Sequence, residues 1–140
     1  MSERNEVTKN NKHWIEKYRY LELKHFCLQY PIWLRAYNSL DSLSRRPTDL
    51  AMFEKYEKGK GHSDPTARLA EARIYYRDRM KLVENTAIQT SESLWEYILE
   101  GVTTGSSYDI LKAKMDIPCD KGTYYELYHK FFWLLNKARD

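Results

Sequence analysis

Leu69, Ala72, Tyr76, Met80, Val83 and Ala87 recur at intervals of three or four residues over more than five helical turns. A strand alternates with a period of two, so this stripe has one regular solution, an amphipathic helix. Asp64 is placed to cap it and Pro65 to stand at its first position, where the missing N–H costs nothing. From Pro65 to about Gln89 the helix would be roughly 37 Å long at ~1.5 Å per residue. That is long for a chain of 140 residues. It therefore either connects an N-terminal region to a C-terminal domain or pairs with another subunit, with burial in a core as the simpler use of the stripe.

The rest of the chain follows the same period. Apolar residues from Trp14 through Tyr18, Leu21 and Leu28, with Ile15 and Phe26, predict a first helix to about Tyr30. Pro31 then opens a second, carrying Trp33, Leu34, Tyr37 and Leu40 to about Ser44. Thr48 can cap a short helix, and Lys58–Ser63 reads as a loop. Residues 1–11 are polar and read as a disordered tail. The expected organisation is residues 1–11 as tail, 12–63 as an N-terminal helical region, 64–90 as a connecting helix and 91–140 as a C-terminal domain. Gly and Pro number 5 and 4, and the alternating Val/Ile/Thr runs of strands are missing, so the expected class is all-α.

Charge sets limits on the partner. The formal net charge is +3 and the sequence pI is about 8.7. Residues 1–63 hold 12 basic against 8 acidic groups, and residues 64–140 hold 11 against 12. The balance is compatible with nucleic acid without demanding it. Cys27 and Cys119 lie far apart, no apolar segment resembles a signal peptide, and no apolar run is long enough to span a membrane. Reduced thiols in a cytoplasm are the expected state.

The C-terminal domain carries the functional signal. Ser91 can cap a helix with Leu94, Trp95, Ile98 and Leu99, ended by Gly101 to Gly105. Ser106 or Ser107 caps a brief helix, Tyr108 to Met115, with Ile110, Leu111 and Met115 inward. Asp116-Ile117-Pro118-Cys119-Asp120 connects it to a last helix, Lys121 to about Lys137, whose inward face is Tyr124, Leu127, Tyr128, Phe131, Leu134 and Leu135. A brief helix, a tight turn with an apolar residue inside it, and a capped longer helix make a helix-turn-helix. Asp116 stands where glycine or another residue tolerant of a left-handed backbone is usual. The exposed set is then Lys121, Thr123, Tyr125, Glu126, His129 and Lys130. Lys121 and Lys130, with Lys112 and Lys114 on the preceding helix, suit phosphates. Thr123, Tyr125, Glu126 and His129 suit base edges, Glu126 as an acceptor for cytosine N4.

Ser106-Ser107-Tyr108-Asp109-Ile110-Leu111, Asp116-Ile117-Pro118 and Asp120-Lys121-Gly122-Thr123-Tyr124-Tyr125 resemble the C-terminal helix-turn-helix of phage and mobile-element regulators of the RinA/ArpU type. That unit is in turn similar to region 4 of sigma factors. The resemblance covers about the last 75 residues. It implies activation of phage or mobile-element genes through double-stranded promoter DNA and RNA polymerase, and the N-terminal helices would contact polymerase or a second copy of the chain. The recognition helices of that family are rich in Arg and Lys. Here the helix runs Tyr124-Tyr125-Glu126-Leu127-Tyr128-His129-Lys130-Phe131-Phe132-Trp133. Its aromatics open an alternative, a non-enzymatic protein-binding module such as a phage-encoded binder or inhibitor of a host machine. An exposed patch of Tyr125, Phe132 and Trp133 would favour that alternative.

Catalysis has no support in the motifs. His13, His25, His62 and His129 show no metal-ligand spacing with Cys, Asp or Glu, and no phosphate loop or nucleophile elbow is present. No enzyme, metal or cofactor is expected. Arg73, Arg77 and Lys81 form a basic row on the long helix, interleaved with Glu71, Asp78 and Glu84, and read as a solvated face.

Overall fold

A computed structural model describes residues 11–45 and 65–139. They form six helices: α1 (Lys17–Leu28), α2 (Tyr30–Arg45), α3 (Pro65–Thr90), α4 (Trp95–Thr104), α5 (Tyr108–Met115) and α6 (Lys121–Ala138). No strand occurs among the described residues, so the class is all-α. Asp64, the short helix at Thr48 and the loop Lys58–Ser63 lie outside them.

The chain divides into two compact units, one comprising Met1–Tyr30 with Lys81–Asp140, the other Pro31–Met80. This differs from the expected boundaries. The first helix does not stay with the second: α1 packs against α4 and α6. The reason is its composition. Tyr20, Leu23, Phe26 and Cys27 are buried there, while Tyr18 is 73% exposed and Trp14 lies half open. Two apolar rows run along α1, and the one fixed by Leu23 and Cys27 faces inward, not the row through Tyr18 that periodicity favours. The helix also begins later than its apolar run. Asn11 turns the chain, its carbonyl accepting from Trp14 N–H at 3.1 Å and its side chain from His13 N–H at 2.8 Å. Glu16, extended, then caps α1 through Tyr18 N–H.

The unit of Pro31–Met80 contains most of α2 and the first part of α3. Asp41 accepts from Arg73 at 2.9 Å, and the same guanidinium lies 5.6 Å from the Tyr37 ring centre. Arg73 is thus engaged inside its unit rather than standing in an open basic row. Trp33, Leu69 and Met80 are buried.

Within the larger unit, α4, α5 and α6 pack on one another and α1 closes the back. Its core is Leu23, Cys27, Ile98, Leu111, Ile117, Tyr124, Phe131, Phe132 and Leu135. Ser91 does not cap α4; its hydroxyl accepts from Leu94 N–H at 3.2 Å, holding an intervening turn, and the helix starts at Trp95. The helix ends within Gly101 to Gly105, as the sequence predicts, and it does so at the second glycine. Gly101 is buried inside α4, and Gly105, at φ 75°, terminates the helix by donating to the Gly101 carbonyl. Only glycine takes that left-handed backbone without strain.

Candidate nucleic-acid interface

The helix-turn-helix is built from local signals that each satisfy a backbone group. Ser107 Oγ accepts from Ile110 N–H and caps α5. Asp116 ends that helix in the left-handed region, φ 52° and ψ 52°, its N–H donating to the Lys112 carbonyl at 3.0 Å. Asp and Asn tolerate this geometry better than most side chains. Ile117, next in the chain, is fully buried and pins the turn to the core. Asp120 then caps α6, its carboxylate accepting from Thr123 N–H at 2.8 Å. The Thr123 side chain, and after it this backbone N–H, favour the ionised form and hold the Asp120 carboxyl below its usual value.

A second set of bonds fixes α5 against α6. The Tyr108 hydroxyl donates to the Cys119 carbonyl at 2.5 Å, and Tyr108 N–H donates to the Tyr125 hydroxyl at 3.2 Å. One residue at the start of α5 therefore holds both the end of the turn and the second turn of α6. Behind it the Tyr124, Tyr125, Tyr128 and Phe132 rings meet at mostly edge-on or tilted angles with centroids 5.0–6.0 Å apart.

This arrangement places six of the eight expected residues on or near the surface. Lys121, Thr123 and Glu126 are exposed on the first turns of α6, and Lys112 and Lys114 are exposed on α5. Lys130 is half-buried one turn beyond Glu126. Two residues are placed otherwise than expected. Tyr125 is half-buried among Tyr124 and Tyr128, and its oxygen already accepts from the α5 backbone. His129 turns toward the N-terminal segment and lines a small cavity of about 40 Å³ with His13, Trp14, Ile15, Lys17, Tyr20 and Phe132. The expected inward face omitted Phe132, which is 1% exposed, and included Ile110, which is 52% exposed. The burial of Phe132 follows from α1, whose Tyr20 packs edge-on to it at 5.3 Å and widens the buried face of α6.

Three of the four lysines of the motif are not bare. Lys112 pairs with Asp116 at 3.1 Å and donates to the Ile117 carbonyl at 3.2 Å, and the Asp116 carboxylate holds its ammonium above the usual value. Lys114 meets Glu100 at 2.8 Å, and Lys121 lies 3.9 Å from Asp109. Sequence periodicity finds the lysines, but Glu100 and Asp109 sit on neighbouring helices and only the packing brings them near. Another group is not evident from the motif: Lys12 and His13 lie along α6, with the His13 ring 5.1 Å from Trp133. Lys137 continues the row Glu126, Lys130, Trp133 by helical spacing, which is a signal the sequence does carry.

Among the described residues no cluster of three or more His, Cys, Asp or Glu could hold a metal ion, and no helix is long and apolar enough to cross a membrane. Comparison with family models, curated proteins and solved structures gives no match to this chain.

Proposed function

We propose that this chain is a DNA-binding transcription regulator of the phage or mobile-element kind, with α6 lying in the major groove. One observation carries the reading. Asp116, Ile117 and Asp120 brace α6 against α5 so that Lys121, Thr123 and Glu126 stand exposed on its first turns. Those turns are what a helix-turn-helix presents to a groove about 12 Å wide. Lys112, Lys114, Lys121 and Lys130 contact phosphates, while Thr123 and Glu126 meet base edges. The ion pairs to Asp116, Glu100 and Asp109 do not block this. An exposed pair is worth about 0–1 kcal/mol, and a phosphate that releases counterions competes with it readily.

The aromatic-patch alternative loses its main support, because Phe132 is buried and Tyr125 and Trp133 are half-buried. A protein partner remains the better reading for the unit Pro31–Met80. It exposes Ile32, Leu34, Ile74 and Tyr75, which suits RNA polymerase or a second copy of the chain. Selection from a random duplex library tests the DNA reading. Enrichment of one sequence, relaxed at a single position by Glu126→Ala, supports it; no enrichment with folded protein overturns it.

A further inference from the structure

Beyond the first turns of α6, further positive charge lies along the helix at Lys130 and Lys137, and Lys12 lines the same groove as Lys130. There the segment Asn11–His13 runs beside Glu126, Leu127 and Lys130, leaving an open groove of about 550 Å³. Lys137 places its ammonium 3.4 Å from the Trp133 ring centre, and His13 lies against the same indole. Burial, then Lys12 and Lys130, and more weakly Lys137, make the His13 imidazole harder to protonate, against the opposing pull of Glu126. Lys112, Lys114 and Lys121 each have a carboxylate within 4.0 Å. Among the described residues Lys12, Lys130 and Lys137 have none.

We propose that Lys12, Lys130 and Lys137 form a second phosphate seat, in which the Asn11–His13 segment and the far half of α6 grip the DNA backbone beside the bases that Glu126 faces. The inference rests on the DNA reading above and extends it beyond the helix-turn-helix. Its chemistry is that of a phosphodiester: an open groove, ammonium donors on both walls, and Asn11 and His13 as further polar groups. Glu126, the one carboxylate lining the groove among the described residues, repels a phosphate at its own end and so favours a seat toward Lys12 and Lys130.

The test uses the full chain, a fluorescent duplex and a salt titration of affinity. Lys121→Ala reports on the helix-turn-helix alone, Lys12→Ala/Lys137→Ala on the second seat, and Lys81→Ala on net charge alone. The double variant is expected to bind about tenfold more weakly at about 0.1 M salt. Lys12 and Lys137 each meet their own phosphate of the seat, so the slope of log affinity against log salt should flatten by about 2, close to 0.9 for each phosphate left without its lysine. Lys81→Ala should leave the slope unchanged. The proposal is overturned if wild type and Lys121→Ala differ but the double variant matches wild type, or if Lys81→Ala flattens the slope equally. It is also overturned if inorganic phosphate shifts the Lys12 and His13 resonances while the double variant binds DNA normally, which would mark a site for a small anion. If wild type does not bind duplex at low salt, the DNA reading itself fails and the second seat with it.

Discussion

A methyl group on Gly101 would stand 2.0 Å from the Tyr124 hydroxyl oxygen, so the glycine in α4 is the space that the phenol of α6 occupies. Glycine inside a helix costs about 1 kcal/mol relative to alanine. Here that cost permits α6 to approach α4 closely, and Tyr124 is fully buried as a result. Its hydroxyl has no hydrogen-bond partner among the described residues, and burial pushes its proton affinity up.

Gly101→Ala is therefore expected to destabilise the fold by about 1–3 kcal/mol despite the better helix propensity, through overpacking. Tyr124→Phe should be neutral or stabilising by up to about 1 kcal/mol, since it removes a buried hydroxyl that bonds to nothing among the described residues. In the double variant the added methyl meets the ring carbon at 3.3 Å, and most of the loss should disappear. Urea denaturation of the four proteins measures the coupling. Additive effects would contradict the close approach.

Tyr108→Phe removes the bond to the Cys119 carbonyl and leaves the ring in place. A loss of about 1 kcal/mol is expected, with faster amide exchange in the turn Asp116–Asp120. Unchanged exchange there would show that the hydroxyl does not hold the turn.

The two thiols should differ in access but both react slowly. Cys27 is fully buried and its thiol is pushed far up by burial. Cys119 is partly open, and burial followed by the Asp120 carboxylate raises it more modestly. Because the thiolate is the reactive form, an aromatic disulfide reagent at neutral pH should label Cys119 slowly and Cys27 only on unfolding. Rapid labelling of Cys27 in the native protein would contradict the packing of α1.

Acidification should lower stability in two windows. His13 is harder to protonate folded than unfolded, so the unfolded chain takes the proton first and stability falls below about pH 6.5. Asp120 is easier to ionise folded than unfolded, so its stabilisation is present above about pH 3.8 and is lost as pH falls through the lower folded value. His13→Gln should shrink the upper step, and Asp120→Asn, which caps without titrating, the lower one. Melting curves from about pH 8 to about pH 2 separate them, and identical curves would refute both assignments.

The long helix is legible in the sequence because one stripe dominates it: the spacing predicts Pro65 to about Gln89, and α3 runs Pro65–Thr90. The caps Ser107 and Asp120 and the left turn at Asp116 are equally readable, since each depends on residues within a few positions. What sequence does not carry is the partner of each face. Leu23 and Cys27 facing inward and Phe132 buried depend on α1 folding back onto α4 and α6, and Tyr125 bonded to Tyr108 depends on how α5 meets α6. For the same reason the lysines of the interface are visible while Asp109 and Glu100 as their partners are not.

The binding of purified protein to a fluorescent random-sequence duplex across about 50–300 mM salt, wild type against Lys121→Ala/Thr123→Ala, decides whether α6 faces DNA. A DNA-facing α6 predicts affinity that falls steeply and linearly on a double-logarithmic plot, weakened and flattened in the variant at unchanged melting temperature. Wild type that stays unbound at about 50 mM salt, or binds no better than the variant, would contradict it.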